Sequence, residues 1–397
     1  MIESVCCFLL LLIAKVNANC ELDSCDLKRT GHLFVKTTGN ERSLLRTNLI
    51  QANEKFEMIC GQVAPVVITC KADGEFTPPL PRRKCPNPIQ ATVEKVTDSI
   101  CRDSMYRVGY KMNSNKFLEL YRSCYNEAKI QANYVIYDSH PHTLGGDSKP
   151  EFSRDGVISG AAAVSFKNTN VYDRFEKLVG PKQSYVTSNA IAFDRGHLAP
   201  AADFGFDKYV KLTYKYINVV PQFCGINRSN VKNIEKWIQD QRKKIGEAYR
   251  VCVGGLDVLQ LMDKSSNLKE IFLFEVVQIN NEQTIRHDAN PVPKWLFKII
   301  SNSIGPNYAF LTYNNRHDTA DPTPNCKTVD CPVDLTLTKT KTSGLSFCCD
   351  QDDFIDRNVP HLKSKCSETY IFNKPKSNFI QPTVTAVPGP AKKQRTG

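Results

Sequence analysis

The residues best suited to chemistry stand together in the tetrapeptide Asp194-Arg195-Gly196-His197. Hydrolysis of a phosphodiester needs a base for the attacking water, a cation that neutralises the transition state, and assistance to the leaving oxygen. His197 can act as the base when its imidazole is neutral, which an ordinary pKa of about 6.5 permits above mildly acidic pH. Arg195 can supply the cation. The tetrapeptide alone is weak evidence, because a turn with a surface ion pair can have the same residues.

Assistance to the leaving oxygen would fall to a metal ion with few protein ligands, since the sequence has no HExxH motif and no paired carboxylates. Mg²⁺ often keeps several waters, so one amide oxygen and a nearby carboxylate can hold it. Asn227 precedes a strongly amphipathic segment, and Glu235 follows eight residues later, a little over two helical turns. Asn218 precedes both and could orient groups by hydrogen bonds. Asn227 could instead cap a helix, or carry a glycan in the sequon Asn227-Arg228-Ser229, which would exclude a metal.

The order and spacing of these residues resemble the active-site core of the DNA/RNA non-specific endonucleases. This ββα-metal family includes secreted bacterial nucleases, mitochondrial endonucleases, and arthropod gut and salivary nucleases. Its pattern is DRGH, Asn-x-x-Pro-Gln, Asn and Glu, which this chain has at 194–197, 218–222, 227 and 235. The resemblance covers about residues 102–372, with its specific motifs between 189 and 245.

The resemblance implies a hydrated Mg²⁺, with Mn²⁺ as an alternative, and products that carry 5′-phosphates. It implies one role for each matched position: general base for His197, metal ligand for Asn227, support of the ion's waters for Glu235, orientation of neighbouring groups for Asn218, phosphate support for Arg195, and support of the local fold for Asp194.

One loop departs from the family pattern. Members commonly have Arg-Pro-x-Phe upstream of the core, whereas this chain has Lys149-Pro150-Glu151-Phe152, with Arg154 shortly after. Lysine supplies charge without the bidentate fork of arginine. Lys149 and Arg154 are candidate substrate-binding residues, and turnover is expected to be reduced. The alternative is a protein on the same scaffold that binds nucleic acid with high affinity and has weak or residual nuclease activity.

The helices and strands predicted around these residues indicate an α+β fold. We expect a mainly antiparallel central sheet flanked by helices, with a ββα metal finger, preceded by a small disulfide-rich β module. Apolar spacing predicts helices over 116–129 and 229–247. Strands are predicted over 132–137, 216–220, 250–253, 271–277, 294–300 and 308–313.

Changes of composition divide the chain into four segments. The predicted segments are a signal peptide at 1–18, a Cys-rich β module at 19–101, the endonuclease domain at 102–372, and a basic, Pro-rich flexible tail at 373–397. The apolar run of the first segment is too short to span a bilayer. No membrane contact and no protein partner is implied.

Charge and cysteine content point to a secreted protein whose partners are DNA and RNA. The chain has 397 residues, 52 Lys and Arg against 41 Asp and Glu, and a formal net charge of +11, which suits contacts with the phosphate backbone rather than with bases. Sixteen cysteines exceed what a cytosolic enzyme usually carries. We expect disulfides rather than zinc at Cys326, Cys331, Cys348 and Cys349, and Cys224 and Cys252 could pair.

Overall fold

The computed structural model has the expected α+β fold, built on one large antiparallel sheet. The structure describes residues 18–39, 41–81, 83–112, 116–145, 149–280 and 283–367. The predicted signal peptide, except for its last residue, and the predicted tail lie outside the described residues.

The strands fall into a small N-terminal unit and a larger remainder. The strands of the N-terminal unit are β1 (Cys20–Glu21), β2 (Leu33–Thr38), β3 (Glu41–Leu44), β4 (Leu49–Ile50), β5 (Lys55–Ile59), β6 (Val66–Cys70) and β7 (Phe76–Thr77). The remaining strands are β8 (Ala91–Val96), β9 (Ser104–Lys111), β10 (Phe117–Asn126), β11 (Gln131–Ser139), β12 (Phe193–His197), β13 (Val219–Phe223), β14 (Tyr249–Val258), β15 (Gln260–Met262), β16 (Leu268–Glu270), β17 (Phe272–Asn280), β18 (Gln283–Pro291), β19 (Pro293–Ser301), β20 (Tyr308–Tyr313), β21 (Thr328–Val329) and β22 (Ser346–Cys349).

Helices are few and mostly short. The α-helices are α1 (Ser24–Thr30), α2 (Gly160–Ala163), α3 (Asn168–Val179), α4 (Asp207–Thr213), α5 (Cys224–Ile226), α6 (Lys232–Ile245), α7 (Gln351–Asn358) and α8 (Lys363–Cys366). A π-helical turn over Asn227–Val231 leads into α6. Among the described residues, no helix has the length and apolar composition needed to cross a bilayer.

The large sheet has nine strands in the order β21-β22-β20-β19-β14-β11-β10-β9-β8. Alternate residues of its central strands face two separate cores, as the pleat requires. Val251 and Val253 face the core that also contains Ile234 and Trp237 of α6. Cys252 faces the opposite core, which contains the C-terminal helices α7 and α8. Strands β12 and β13 form a separate antiparallel hairpin that leads into α6.

The helix predicted over 116–129 is wrong, because this segment forms β10 in the middle of the sheet. Bulges interrupt its pairing between Glu119 and Tyr121 and between Cys124 and Tyr125. Each bulge shifts the alternation by one residue, so buried side chains recur at intervals that imitate a helix. The strand predicted over 216–220 begins only at Val219, because Tyr216–Asn218 forms a 3₁₀ turn.

Six disulfides close within the described residues, and Cys25 and Cys224 are free. The bonded pairs are Cys20–Cys70, Cys60–Cys85, Cys101–Cys124, Cys252–Cys366, Cys326–Cys349 and Cys331–Cys348. The last two confirm disulfides rather than zinc at those cysteines. The suggested pairing of Cys224 with Cys252 is wrong, because Cys252 points to the sheet face covered by α8, where Cys366 lies.

The N-terminal unit packs directly on the large sheet. Arg46 is buried and donates hydrogen bonds to the carbonyl oxygens of Leu120 (3.5 Å) and Asp138 (3.0 Å). Its guanidinium also lies 4.9 Å from the centre of the Phe204 ring. The division at residue 101 stays a prediction, and we note that β8 already belongs to the large sheet.

Replacing Arg46 with Met should destabilise the protein by about 1–3 kcal/mol, because two buried carbonyl groups lose their donor. Urea unfolding followed by circular dichroism measures this loss. Arg42→Met is the matched control, since Arg42 forms an ion pair with Glu57 at the surface of the same unit, and such pairs contribute about 0–1 kcal/mol. Equal stability of the two variants would contradict the role assigned to Arg46.

Candidate active site

The site is built on the hairpin of β12 and β13, in which Gly196 pairs with Val220 and His197 with Val219. The side chain of Gln222 lies so close to Gly196 that an added Cβ would meet its Cδ at 2.2 Å. A larger residue at this position would have to displace the buried side chain of Gln222, which favours glycine as the third residue of the tetrapeptide. The hairpin and α6 together form a ββα finger.

The imidazole of His197 lies among aromatic rings. Its ring centre is 5.2 Å from that of Phe152 and 4.8 Å from that of Tyr214, with the Tyr214 ring edge-on. The Nε2 atom is buried and has no hydrogen-bond partner among the described residues. Burial, together with the charge of Arg195, lowers the pKa of His197 to about 4. The ring is therefore neutral at physiological pH and competent to accept a proton.

His197 lines a cavity of about 20 Å³ together with Gln222, Glu235 and Lys298, enough space for a water molecule. The Oε1 atom of Gln222 is also buried without a partner in the described structure. Because buried polar atoms are almost always paired, two such atoms on residues of one cavity indicate that a water molecule belongs there.

Asn218 fixes the chain on the C-terminal side of His197. Its Oδ1 accepts a hydrogen bond from the backbone N–H of Ala199 (2.9 Å). Its Nδ2 donates to the carbonyl oxygens of Ala199 (3.0 Å) and Thr213 (2.8 Å). Asn218 is completely buried, so it acts on the backbone beside His197 and not on a ligand directly.

Asp194 connects the hairpin to the start of the helix. It accepts two hydrogen bonds from Arg228, at 2.9 and 2.6 Å, and one from Nδ2 of Asn227 at 2.9 Å. Because the amide nitrogen of Asn227 is used as a donor, its oxygen is the atom that can bind a metal. Asn227 begins the turn over Asn227–Val231, whose helical backbone is kinked at Ser229.

Arg195 lies on the same strand as His197, two residues away and hence on the same face. Its guanidinium stacks 4.6 Å from the centre of the Phe152 ring and donates to the hydroxyl of Tyr216 at 3.2 Å. The side chain is otherwise exposed. It can therefore meet an anion that approaches from solvent.

The loop that contains Lys149 and Arg154 is anchored beside the site. Ser153 forms a parallel bridge with Lys215, and Lys215 forms a partly buried ion pair with Asp155 (2.7 Å). Lys149 and Arg154 are exposed. Their loop contacts the site through Phe152, while the two charged side chains face solvent.

The donors suit a hydrated Mg²⁺ ion better than zinc. No group of three or more His, Cys, Asp or Glu in the described part of the chain is placed to hold a metal. The site offers the amide oxygen of Asn227 and the carboxylate of Glu235, which are the hard oxygen donors that Mg²⁺ prefers. Glu235 lies in the His197 cavity, whereas Asn227 does not line it and is connected to it through Asp194 and the helix.

Sequence reasoning missed two features of this site. Lys298 reaches the cavity from β19, and its only signal is a lysine within the apolar run Trp295-Leu296-Phe297-Lys298-Ile299-Ile300. The aromatic setting of His197, made by Phe152 and Tyr214, has no signal in residue spacing, because β12 and the segments that contribute the two rings are apart in sequence.

Comparison with known proteins identifies the family. Residues 102–354 match the DNA/RNA non-specific endonuclease family, which is more than half of the chain. The protein belongs to this family. The family resemblance noted in the sequence is thereby confirmed, and the ββα finger contains the motif on which that resemblance was based.

Three salivary proteins are similar to this chain. A salivary endonuclease of Lutzomyia longipalpis is 27% identical over 273 residues, which are 66% of this chain and 63% of that protein. Salivary protein Tsal2A of Glossina morsitans morsitans is 23% identical over 294 residues, 69% of each chain. Salivary protein Tsal1 of the same organism is 24% identical over 261 residues, 62% of this chain and 61% of that protein. The chain therefore spans less than two thirds of the salivary endonuclease that it matches.

A chain in the solved structure of the EndoG/EndoGI complex is among those similar to this chain. It has a TM-score of 0.32 and 18% identity, and the match covers 52% of this chain and 78% of that chain.

The lowered pKa of His197 predicts that activity persists into acidic solution. Since the imidazole is neutral above a pKa of about 4, kcat/KM should stay level from neutral pH down to that region and fall below it, because this ratio reports the free enzyme. Arg195→Gln removes the neighbouring cation and should move the acidic limb to higher pH, in addition to slowing the reaction. Hydrolysis of a fluorogenic oligonucleotide measures both effects.

Arg357→Gln, on α7 at the other face of the sheet, is the control and should leave the limb in place. An acidic limb near pH 6.5, the ordinary value for histidine, in both the wild type and Arg195→Gln would contradict the assignment of His197 as a buried base.

Proposed function

We propose that this protein is a secreted, Mg²⁺-dependent, sugar-non-specific endonuclease that hydrolyses phosphodiester bonds of extracellular DNA and RNA. The proposal depends above all on one observation. His197 and Gln222, each with a buried polar atom that lacks a partner, line one cavity together with the carboxylate-bearing Glu235. A base and an acidic group at a space for water are what hydrolysis requires.

In this reaction His197 accepts a proton from the attacking water through Nε2. Arg195, on the same face of β12, meets the scissile phosphate and neutralises charge as the transition state forms. Asn227 would hold Mg²⁺ through its amide oxygen, and Glu235 would orient the ion's hydration shell. When bound, Mg²⁺ supplies stabilisation of negative charge on the phosphate and the leaving 3′ oxygen. Products with 5′-phosphates are expected.

Secretion and extracellular substrates are supported by the disulfides and by the relatives. Six disulfides among the described cysteines suit an oxidising compartment, and three relatives are named as salivary proteins. The net charge of +11 favours contact with the phosphate backbone. Such contacts do not read bases, so DNA and RNA should both be bound and cleaved.

A second function, high-affinity binding of nucleic acid with weak or residual cleavage, is favoured by one observation. Lys149 stands where family members commonly have an arginine, and a lysine cannot form two parallel hydrogen bonds to a phosphate.

His197→Ala separates the two functions. If the protein is an endonuclease, this variant should cleave plasmid DNA and double-stranded RNA about 10²–10⁴-fold more slowly than the wild type, because the general base is lost. Chelation of divalent cations should stop the wild-type reaction. Gel analysis and end-labelling of the products measure the rate and the 5′-phosphate. His361→Ala is the matched control, since His361 is exposed and contacts Tyr134 on the far face of the sheet.

Three results together would favour the binding function. Binding would be tight and would weaken as salt rises, it would be the same in His197→Ala, and neither protein would cleave the nucleic acid. Equal cleavage by the wild type and His197→Ala would show that His197 is not the base.

A further inference from the structure

Lys298 is a buried charge at the centre of the large sheet. In β19 it pairs with Phe310 of β20 and Val253 of β14. Lys298 lies on the same face of the strand as Leu296 and Ile300, which belong to the core beneath α6. An apolar side chain would suit this sheet face, and a lysine is rarely buried without a partner. The charge therefore needs an explanation other than packing.

The partner of this charge is Glu235, the acidic residue of the His197 cavity. The distance from Nζ of Lys298 to Oε1 of Glu235 is 3.4 Å, and the side chains are 8% and 18% exposed. Both residues line the cavity. A buried ion pair is poor at stabilising a fold, because removing two charges from water costs about as much as their attraction returns. Its benefit must therefore lie in the site.

We propose that Lys298 is a positioning residue that holds the side chain of Glu235 at the wall of the His197 cavity. The proposal rests on the function proposed above. Lys298 acts through Glu235 and does not contact the substrate, since its ammonium is buried beneath α6.

The charges around Glu235 agree with this role. The groups that face Glu235 are Lys298 from β19, His197 from β12, Asp203 from the turn after β12, and Tyr137 from β11. Among these four groups Lys298 is the cation, so it is the one that can hold the side chain of Glu235 through an ion pair.

The test compares Lys298→Met, which keeps the length of the side chain without its charge, with Lys298→Arg, which keeps the charge. In oligonucleotide hydrolysis, Lys298→Met should lower kcat by about 10–100-fold, the usual effect of removing a residue that supports a metal site. KM should change less than about twofold, and Lys298→Arg should recover most of the rate, because the cation is restored. Lys294→Met is the control on the same strand, since Lys294 does not line the cavity.

A second measurement does not depend on turnover. Mn²⁺ binding to the resting protein, followed by electron paramagnetic resonance, should weaken by about 10–100-fold in Lys298→Met and stay unchanged in Lys294→Met. Urea unfolding should show that Lys298→Met is folded under the assay conditions, although less stable than the wild type, because removing one partner of a buried pair leaves the other charge uncompensated. If this variant does not fold, Lys298→Gln replaces it in both assays.

A double variant tests whether Lys298 acts through Glu235. Lys298→Met combined with Glu235→Gln should be no slower than Glu235→Gln alone. The proposal would be overturned if the rate losses of the two single variants multiply in the double variant. It would also be overturned if Lys298→Met raises KM with unchanged kcat, or if Lys298→Met binds Mn²⁺ as tightly as the wild type. If the wild type binds nucleic acid without cleaving it, the endonuclease function fails, and the Mn²⁺ titration still decides on Lys298.

Discussion

The amide of Asn218 is the interaction on which the site depends. Its three hydrogen bonds join the 3₁₀ turn before β13 to Ala199 and Thr213, and so they fix the chain just after His197. The imidazole itself forms no hydrogen bond through its buried Nε2 to a described residue. Its orientation must therefore come from the backbone that Asn218 holds and from the rings of Phe152 and Tyr214. A base held by its surroundings keeps its reactive nitrogen available for water.

The spacing of apolar residues was enough to predict those elements in which a single periodicity holds from end to end. The segment 308–313 was predicted as a strand and forms β20 with the same bounds. The segment 116–129 was misread as a helix, because two bulges in β10 broke the alternation that identifies a strand. The π-helical turn at Asn227–Val231 could not be predicted, since it depends on how Asp194 holds Asn227 and Arg228 from a distant strand.

The residues of the site also differ in whether the sequence alone could identify them. The sequence motif identified His197, Asn227 and Glu235 as residues that belong together, and their roles stay predictions. The structure adds that His197 and Glu235 line one cavity. Lys298 could not be assigned from sequence, because a lysine in an apolar strand has meaning only when its partner across the core is known. A buried charge with no local explanation directs attention to the residue it faces.

The cations near His197 create a conflict between two requirements of the reaction. In the proposed reaction Arg195 would attract phosphate. Burial and the charge of Arg195 together lower the pKa of His197 to about 4, which would weaken the proposed base, because a base is most effective when its pKa lies near the working pH. A phosphate beside Arg195 would offset the charge of Arg195, so the basicity of His197 would rise when substrate binds. On this argument His197 is neutral over a wide range of pH in the free protein, and the substrate itself would restore the strength of the base.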